Sequence, residues 1–174
     1  MNAADATIDI FLAPGDAYFG ARDTRIRTVL GSCVSIVFWH PVLLLGGMCH
    51  YMLAGRAQQR PEHLDGRYAD EAFELMLREI RRYGAPPAEY QVKLFGGGNM
   101  FPLSRQDSAR HVGVKNVDAA RRLIQLHGMR CVGQHLEGVG HRNIIFEVWS
   151  GQVWVKQLAP LSFDEGKGEL PCAA

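Results

Sequence analysis

At 174 residues, with 47% hydrophobic and 21% charged side chains, the chain has the size and balance of one folded unit with its own core, neither disordered nor fibrous. Nineteen Lys and Arg against eighteen Asp and Glu leave a formal charge of +1, which offers no electrostatic footprint for nucleic acid or an anionic membrane. No run approaches the roughly 18–20 apolar residues that span a bilayer, and the acidic start MNAADATID has neither the basic nor the apolar region of a secretory signal, so a cytoplasmic protein without membrane insertion is expected.

In chain order, the first fifty residues predict β structure: strands over 8–12, 27–30, 34–39 and 43–50, with a turn at Pro14-Gly15. Residues 54–67 turn polar and carry Gly and Pro, which predicts an exposed loop that borders any site beside His50. Ala69, Phe73, Met76, Leu77 and Ile80 recur at helical spacing, so residues 68–83 read as an amphipathic helix stopped by Gly84. A strand over 90–95 runs into Gly96-Gly97-Gly98-Asn99 and a mobile loop. A second helix is expected to start with Asn116 as its cap, turn Val117, Ala120, Leu123, Ile124 and His127 inward and end at Gly128. Residues 129–135 predict a strand, and 143–149 with 152–158 a hairpin around Ser150-Gly151. No repeat or linker divides the chain. The expectation is a single domain over 1–174, its core at about 8–160 and its tail frayed over 163–174, in an α+β fold of packed mixed β-sheets, sandwich-like and flanked by two main α-helices.

The glycine runs do not make a nucleotide site. Gly96-Gly97-Gly98 lacks the Lys-Ser/Thr of a phosphate-binding loop and Gly138-Val139-Gly140 fails the dinucleotide pattern, so turns or a cleft wall are the better reading. Seven His and four Cys show neither HExxH nor paired ligand spacing, and adjacent Cys49 and His50 point to opposite faces of a strand, so neither metal nor organic cofactor is expected. The four cysteines, lacking close pairing, read as thiols.

Two segments remain: Leu30-Gly31-Ser32-Cys33-Val34 and Gly46-Gly47-Met48-Cys49-His50. A thiol becomes a strong nucleophile as thiolate, which calls for a nearby base and small residues that admit a substrate; both segments supply that pattern. If their strands pair, His50 can face Cys33, with backbone N–H groups around Gly31, Ser32 and Cys33 free to turn toward an oxyanion. A cysteine in an apolar strand is nonetheless more often a small core hydrophobe. If His50 lines the cleft, Cys49 is packed away.

The run TVLGSCVSIVFWHPVLLLGGMCHYML, residues 28–53, resembles the signature of the CheD family of chemoreceptor glutamine deamidases. The likeness continues through Phe95-Gly96-Gly97-Gly98-Asn99-Met100-Phe101, Gly113-x-Lys115-Asn116 and residues 138–146, and covers about 8–160. It implies a sandwich-like fold shared with toxin-type cysteine deamidases, Cys33 as nucleophile, His50 as base, Thr28 orienting the imidazole, and Gly97, Gly98 and Asn99 at the substrate cleft. It also implies a protein-glutamine glutaminase acting on the helical cytoplasmic region of methyl-accepting chemotaxis receptors, releasing ammonia without a cofactor; the same chemistry on a γ-methyl ester would make it a methylesterase. Two other readings stay open: a non-catalytic adaptor that binds and regulates a CheC-type phosphatase, and a cysteine acyl-transfer enzyme with another host protein as substrate.

Overall fold

A computed structural model describes residues 7–56, 62–100 and 108–159, except the side chains of 108–111. Among the described residues nine strands and two α-helices follow in the order β1 (Ile8–Phe11), β2 (Ala17–Gly20), β3 (Thr24–Leu30), β4 (Val34–His40), β5 (Leu45–Tyr51), α1 (Ala69–Arg82), β6 (Gln91–Gly96), α2 (Ser108–Leu126), β7 (Arg130–Leu136), β8 (His141–Glu147) and β9 (Gln152–Leu158). They form a four-stranded sheet ordered β1-β3-β8-β9 and a five-stranded sheet ordered β2-β5-β4-β6-β7. Parallel pairs β1–β3 and β6–β7 sit among antiparallel ones, so both sheets are mixed and the fold is α+β.

The five-stranded sheet is the middle layer. Val34, Ile36, Phe38, Cys49 and Tyr51 pack with Phe73, Met76, Ile80, Val117 and Ala120 of the helices. Val37, Met48 and Phe95, from the opposite face, pack with Ile26, Leu30, Ile144 and Phe146 of the four-stranded sheet. A strand covered on both faces cannot alternate polar with apolar, which is why β4 reads VSIVFWH. In the outer sheet one face is open, and β3 alternates buried Thr24, Ile26, Thr28 and Leu30 with Arg25, Arg27 and Val29.

The first helix lies where the apolar spacing puts it, with Asp70 and Glu71 in its first turn and Arg81 and Arg82 in its last, favourably disposed to the helix dipole. Four expectations are corrected. Strand β2 was not expected: AYFG is too short to show a period, and its pairing with β5 comes from the sheet. Strand β3 begins at Thr24, not residue 27. Helix α2 begins at Ser108, so Asn116 lies in its middle and residues 108–115 are helix, not loop; Gly113 and Asn116 are weak helix formers that read as a boundary, but tertiary contacts hold both inside. His127 is exposed and stacks on Phe73 at 4.9 Å between ring centroids, instead of turning inward. The tail over 163–174, and residues 57–61 and 101–107 of the two expected loops, lie outside the described residues.

Candidate active site

The pleat of β4 and β5 distributes the cysteines and the histidine. Antiparallel register pairs Ser35 with His50, Ile36 with Cys49 and Val34 with Tyr51. Cys49, facing the helices, is fully buried, its Sγ against the carbonyl of Ile36, and burial pushes its thiol up to about 12. His50 faces the other sheet, and Cys33, half-buried, packs on that same inter-sheet side. Cys33 stands one residue before β4, just beyond the last pair of the ladder, Val34 with Tyr51.

The imidazole bridges the two sheets. Its Nδ1 lies 2.8 Å from Oγ1 of Thr28, and that hydroxyl lies 2.7 Å from the carbonyl of Leu12. The carbonyl can only accept, so it takes the single hydroxyl proton. Oγ1 must then accept from Nδ1–H, which leaves the lone pair on Nε2. Nε2 is buried and has no hydrogen-bond partner among the described residues. Burial pushes His50 down to about 4, against smaller upward pulls from the Leu12 carbonyl and the Asp16 carboxylate. Burial also raises the Cys33 thiol, partly offset by its own backbone N–H. No hydrogen bond joins Sγ to Nε2, and burial favours the uncharged form of each group, the thiol and the neutral imidazole.

The glycine run fixes the Cys33 segment. Gly97 N–H donates to the Cys33 carbonyl at 2.8 Å, Gly98 N–H to the Gly31 carbonyl at 2.8 Å and Asn99 N–H to the Gly138 carbonyl at 2.8 Å. These amides are spent on the protein itself and are not oxyanion donors. At Gly96, φ is +118° and a Cβ would lie 2.1 Å from the Cys33 carbonyl oxygen, so this close approach needs glycine. Among the described residues no backbone carbonyl accepts the N–H of Ser32 or Cys33. Gly31, Ser32 and Cys33 are all half-buried, and Met100 packs against Gly31. Gly97 and Asn99 line a cleft with Val114, Glu137, Gly138 and Val139, in which Cys33 has no part.

In the loop over 54–67, Arg56 chelates Glu71 at 2.6 and 3.1 Å and stacks on Tyr68 beside the head of α1. At the loop's other end a Cβ on Gly66 would meet the carbonyl of Gly15, whose N–H donates to the His50 carbonyl at 2.7 Å.

Two polar residues escaped sequence reasoning. Asn116 donates from Nδ2 to the carbonyls of Ser32 and Met52. Arg142, fully buried, donates to the carbonyls of His135 and Glu137 and braces the turn beside Gly98. The signal for Asn116 was its place in Gly113-x-Lys115-Asn116; for Arg142 it was a cation at an inward position of a strand. Among the described residues no group of three or more His, Cys, Asp or Glu could hold a metal, and no helix is long and apolar enough to cross a membrane.

Fold and site together define a class: an α+β sandwich in which an imidazole, oriented from the opposite sheet, shares a face with a half-buried thiol. The sequence model described as "CheD chemotactic sensory transduction" matches residues 52–157. A protein of Pseudomonas savastanoi named "Probable chemoreceptor glutamine deamidase CheD" is 52% identical over 157 residues, covering 90% of this chain and 88% of the relative. A protein of Albidiferax ferrireducens named "Probable chemoreceptor glutamine deamidase CheD 2" is 46% identical over 172 residues, covering 98% of this chain and 99% of that one. The more distant "Probable chemoreceptor glutamine deamidase CheD 1" of Leptospira interrogans is 39% identical over 160 residues, covering 88% and 95%. The chain belongs to the CheD family.

Proposed function

We propose that this protein hydrolyses the side-chain amide of glutamines in chemotaxis receptors, with Cys33 as nucleophile, His50 as base and Thr28 as the residue that orients the imidazole. The names of the relatives supply the substrate class. The observation that carries the chemistry is the hydrogen bond between Thr28 and Nδ1 of His50, because it leaves Nε2 as an unpartnered base on the face that holds Cys33.

In the cycle Nε2 takes the Sγ proton of Cys33 as sulfur bonds to the amide carbon and the carbonyl electron pair moves onto oxygen. The N–H groups of Ser32 and Cys33 are the donors best placed to hold that oxyanion. Collapse of the tetrahedral adduct breaks the carbon–nitrogen bond, the imidazolium gives its proton to the departing nitrogen, and ammonia leaves a thioester. A water, deprotonated by Nε2, attacks the thioester; the carbon–sulfur bond breaks, the thiolate recovers its proton and a glutamate is released. Both groups start neutral, so the thiolate forms only as substrate is attacked. A γ-methyl ester in the same position would release methanol by the same steps.

The test is mass spectrometry of a receptor co-expressed with the wild-type protein, Cys33→Ala or His50→Ala. The expected result is a Gln-to-Glu mass change with the wild type alone. An equal change in all three would reject the assignment.

A further inference from the structure

We infer that Asn116 is a positioning residue that sets the separation between the Cys33 thiol and the His50 imidazole; the inference rests on the reading of those two residues as the reacting pair. The ladder between β4 and β5 ends at Val34 paired with Tyr51. Ser32 and Met52 lie beyond that last pair, one just before Cys33 and the other two residues after His50, where the ladder no longer holds the segments together. The Asn116 amide takes over as the cross-link: Nδ2 donates to the Ser32 carbonyl at 3.0 Å and to the Met52 carbonyl at 2.7 Å. One planar group with two N–H donors thus fixes both segments at once.

The helix that carries this amide is itself seated on both segments. Tyr51, next to His50, donates its hydroxyl to the backbone carbonyl of Asn116 at 2.6 Å. One turn earlier a Cβ at Gly113 would lie 2.6 Å from the Gly97 carbonyl oxygen, and Gly97 N–H in turn holds the Cys33 carbonyl. Asn116 is only 1% exposed, and its Oδ1 is buried without a partner among the described residues. A group chosen for stability alone would avoid that unsatisfied acceptor. An apolar side chain could fill the space but could not supply two donors.

The test is a double-mutant cycle read by iodoacetamide alkylation of Cys33, resolved by peptide mass spectrometry, in wild type, Asn116→Ala, His50→Gln and the double variant. If Asn116 positions the pair, His50→Gln slows alkylation about tenfold in the wild-type background and less than about twofold in the Asn116→Ala background, a non-additivity expected of groups that act as a unit. In receptor deamidation, Asn116→Ala lowers kcat by about 100-fold, the scale of a misplacement near 1 Å, with KM within about threefold. A folded Asn116→Ala protein in which the His50→Gln effect persists in full overturns the inference. Should that variant fail to fold, Asn116→Ser, which keeps one donor, is put through the same cycle and judged by the same two outcomes. The alkylation cycle uses no receptor. A wild-type protein that leaves receptors unchanged rejects the deamidase reading while the cycle still decides the role of Asn116, and no His50→Gln effect on wild-type alkylation overturns both.

Discussion

Cys33 and Cys49 belong to neighbouring segments of one sheet, yet they are chemically opposite. Cys49 faces the helices, touches hydrocarbon and one carbonyl, and has its thiol pushed up to about 12. Cys33 faces the other sheet, is half-buried, and shares its side with the lone pair of His50. The strand pleat makes the difference: His50 adjoins Cys49 in sequence but points away from it. Proximity along the chain is therefore a poor guide to which thiol an imidazole can serve.

The largest test of that contrast is to remove each sulfur in turn. Cys33→Ala should lower ammonia release from a receptor fragment at least about 10³-fold, as loss of a nucleophile does. Cys49→Ala should leave the rate unchanged and cost about 1 kcal/mol of stability, read by urea unfolding. The partners come next. His50→Gln should lower kcat about 10²- to 10⁴-fold, and Thr28→Val, which removes only the orienting hydroxyl, about tenfold by the loss of alignment. Equal losses from Cys33→Ala and Cys49→Ala would erase the contrast.

Smaller effects follow from titration. His50 has a folded value of about 4 against 6.5 for the free side chain, so below pH 6.5 the unfolded chain takes up a proton that the native protein excludes. Its contribution to stability is full above pH 6.5, falls as pH drops through the window, and levels off below about 4. The total is about 3 kcal/mol. Urea unfolding of wild type and His50→Gln at pH 7 and pH 4 should differ in pH dependence by that amount, the wild type losing more. The alkylation profiles of the two thiols should also separate. At pH 9 Cys33 reacts slowly but measurably while Cys49 stays unmodified until the protein unfolds; modification of Cys49 in the native state would deny its burial.

Much of this fold was legible locally. The spacing of Phe73, Met76, Leu77 and Ile80 marks α1 because one face of that helix alone meets the core, and the last strand runs over 152–158 as its pattern predicts. What escaped depends on partners distant in sequence. Strand β2 has four residues and is defined by β5, and the first two turns of α2 hide behind Gly113, a glycine required by the Gly97 carbonyl. At the candidate site, the small residues around Cys33 and His50 mark them as candidates, but a cysteine in an apolar strand is more often a core residue, and it is the family likeness that favours the pair. Thr28 enters only through the family likeness: its bond to His50 crosses from one sheet to the other, and a strand pattern carries no information on how two sheets dock.

That cross-sheet bond has a consequence for synthesis. Thr28 lies in a sheet whose next strand, β8, begins at His141, whereas His50 lies in the other sheet. A growing polypeptide that has left the ribosome as far as α2 already contains the sulfur, the ring and the hydroxyl, but not the strand that completes the support of β3. On the proposed reading, competence therefore waits for β8, and a chain cut before His141 is expected to be inert although it contains Cys33, His50 and Thr28.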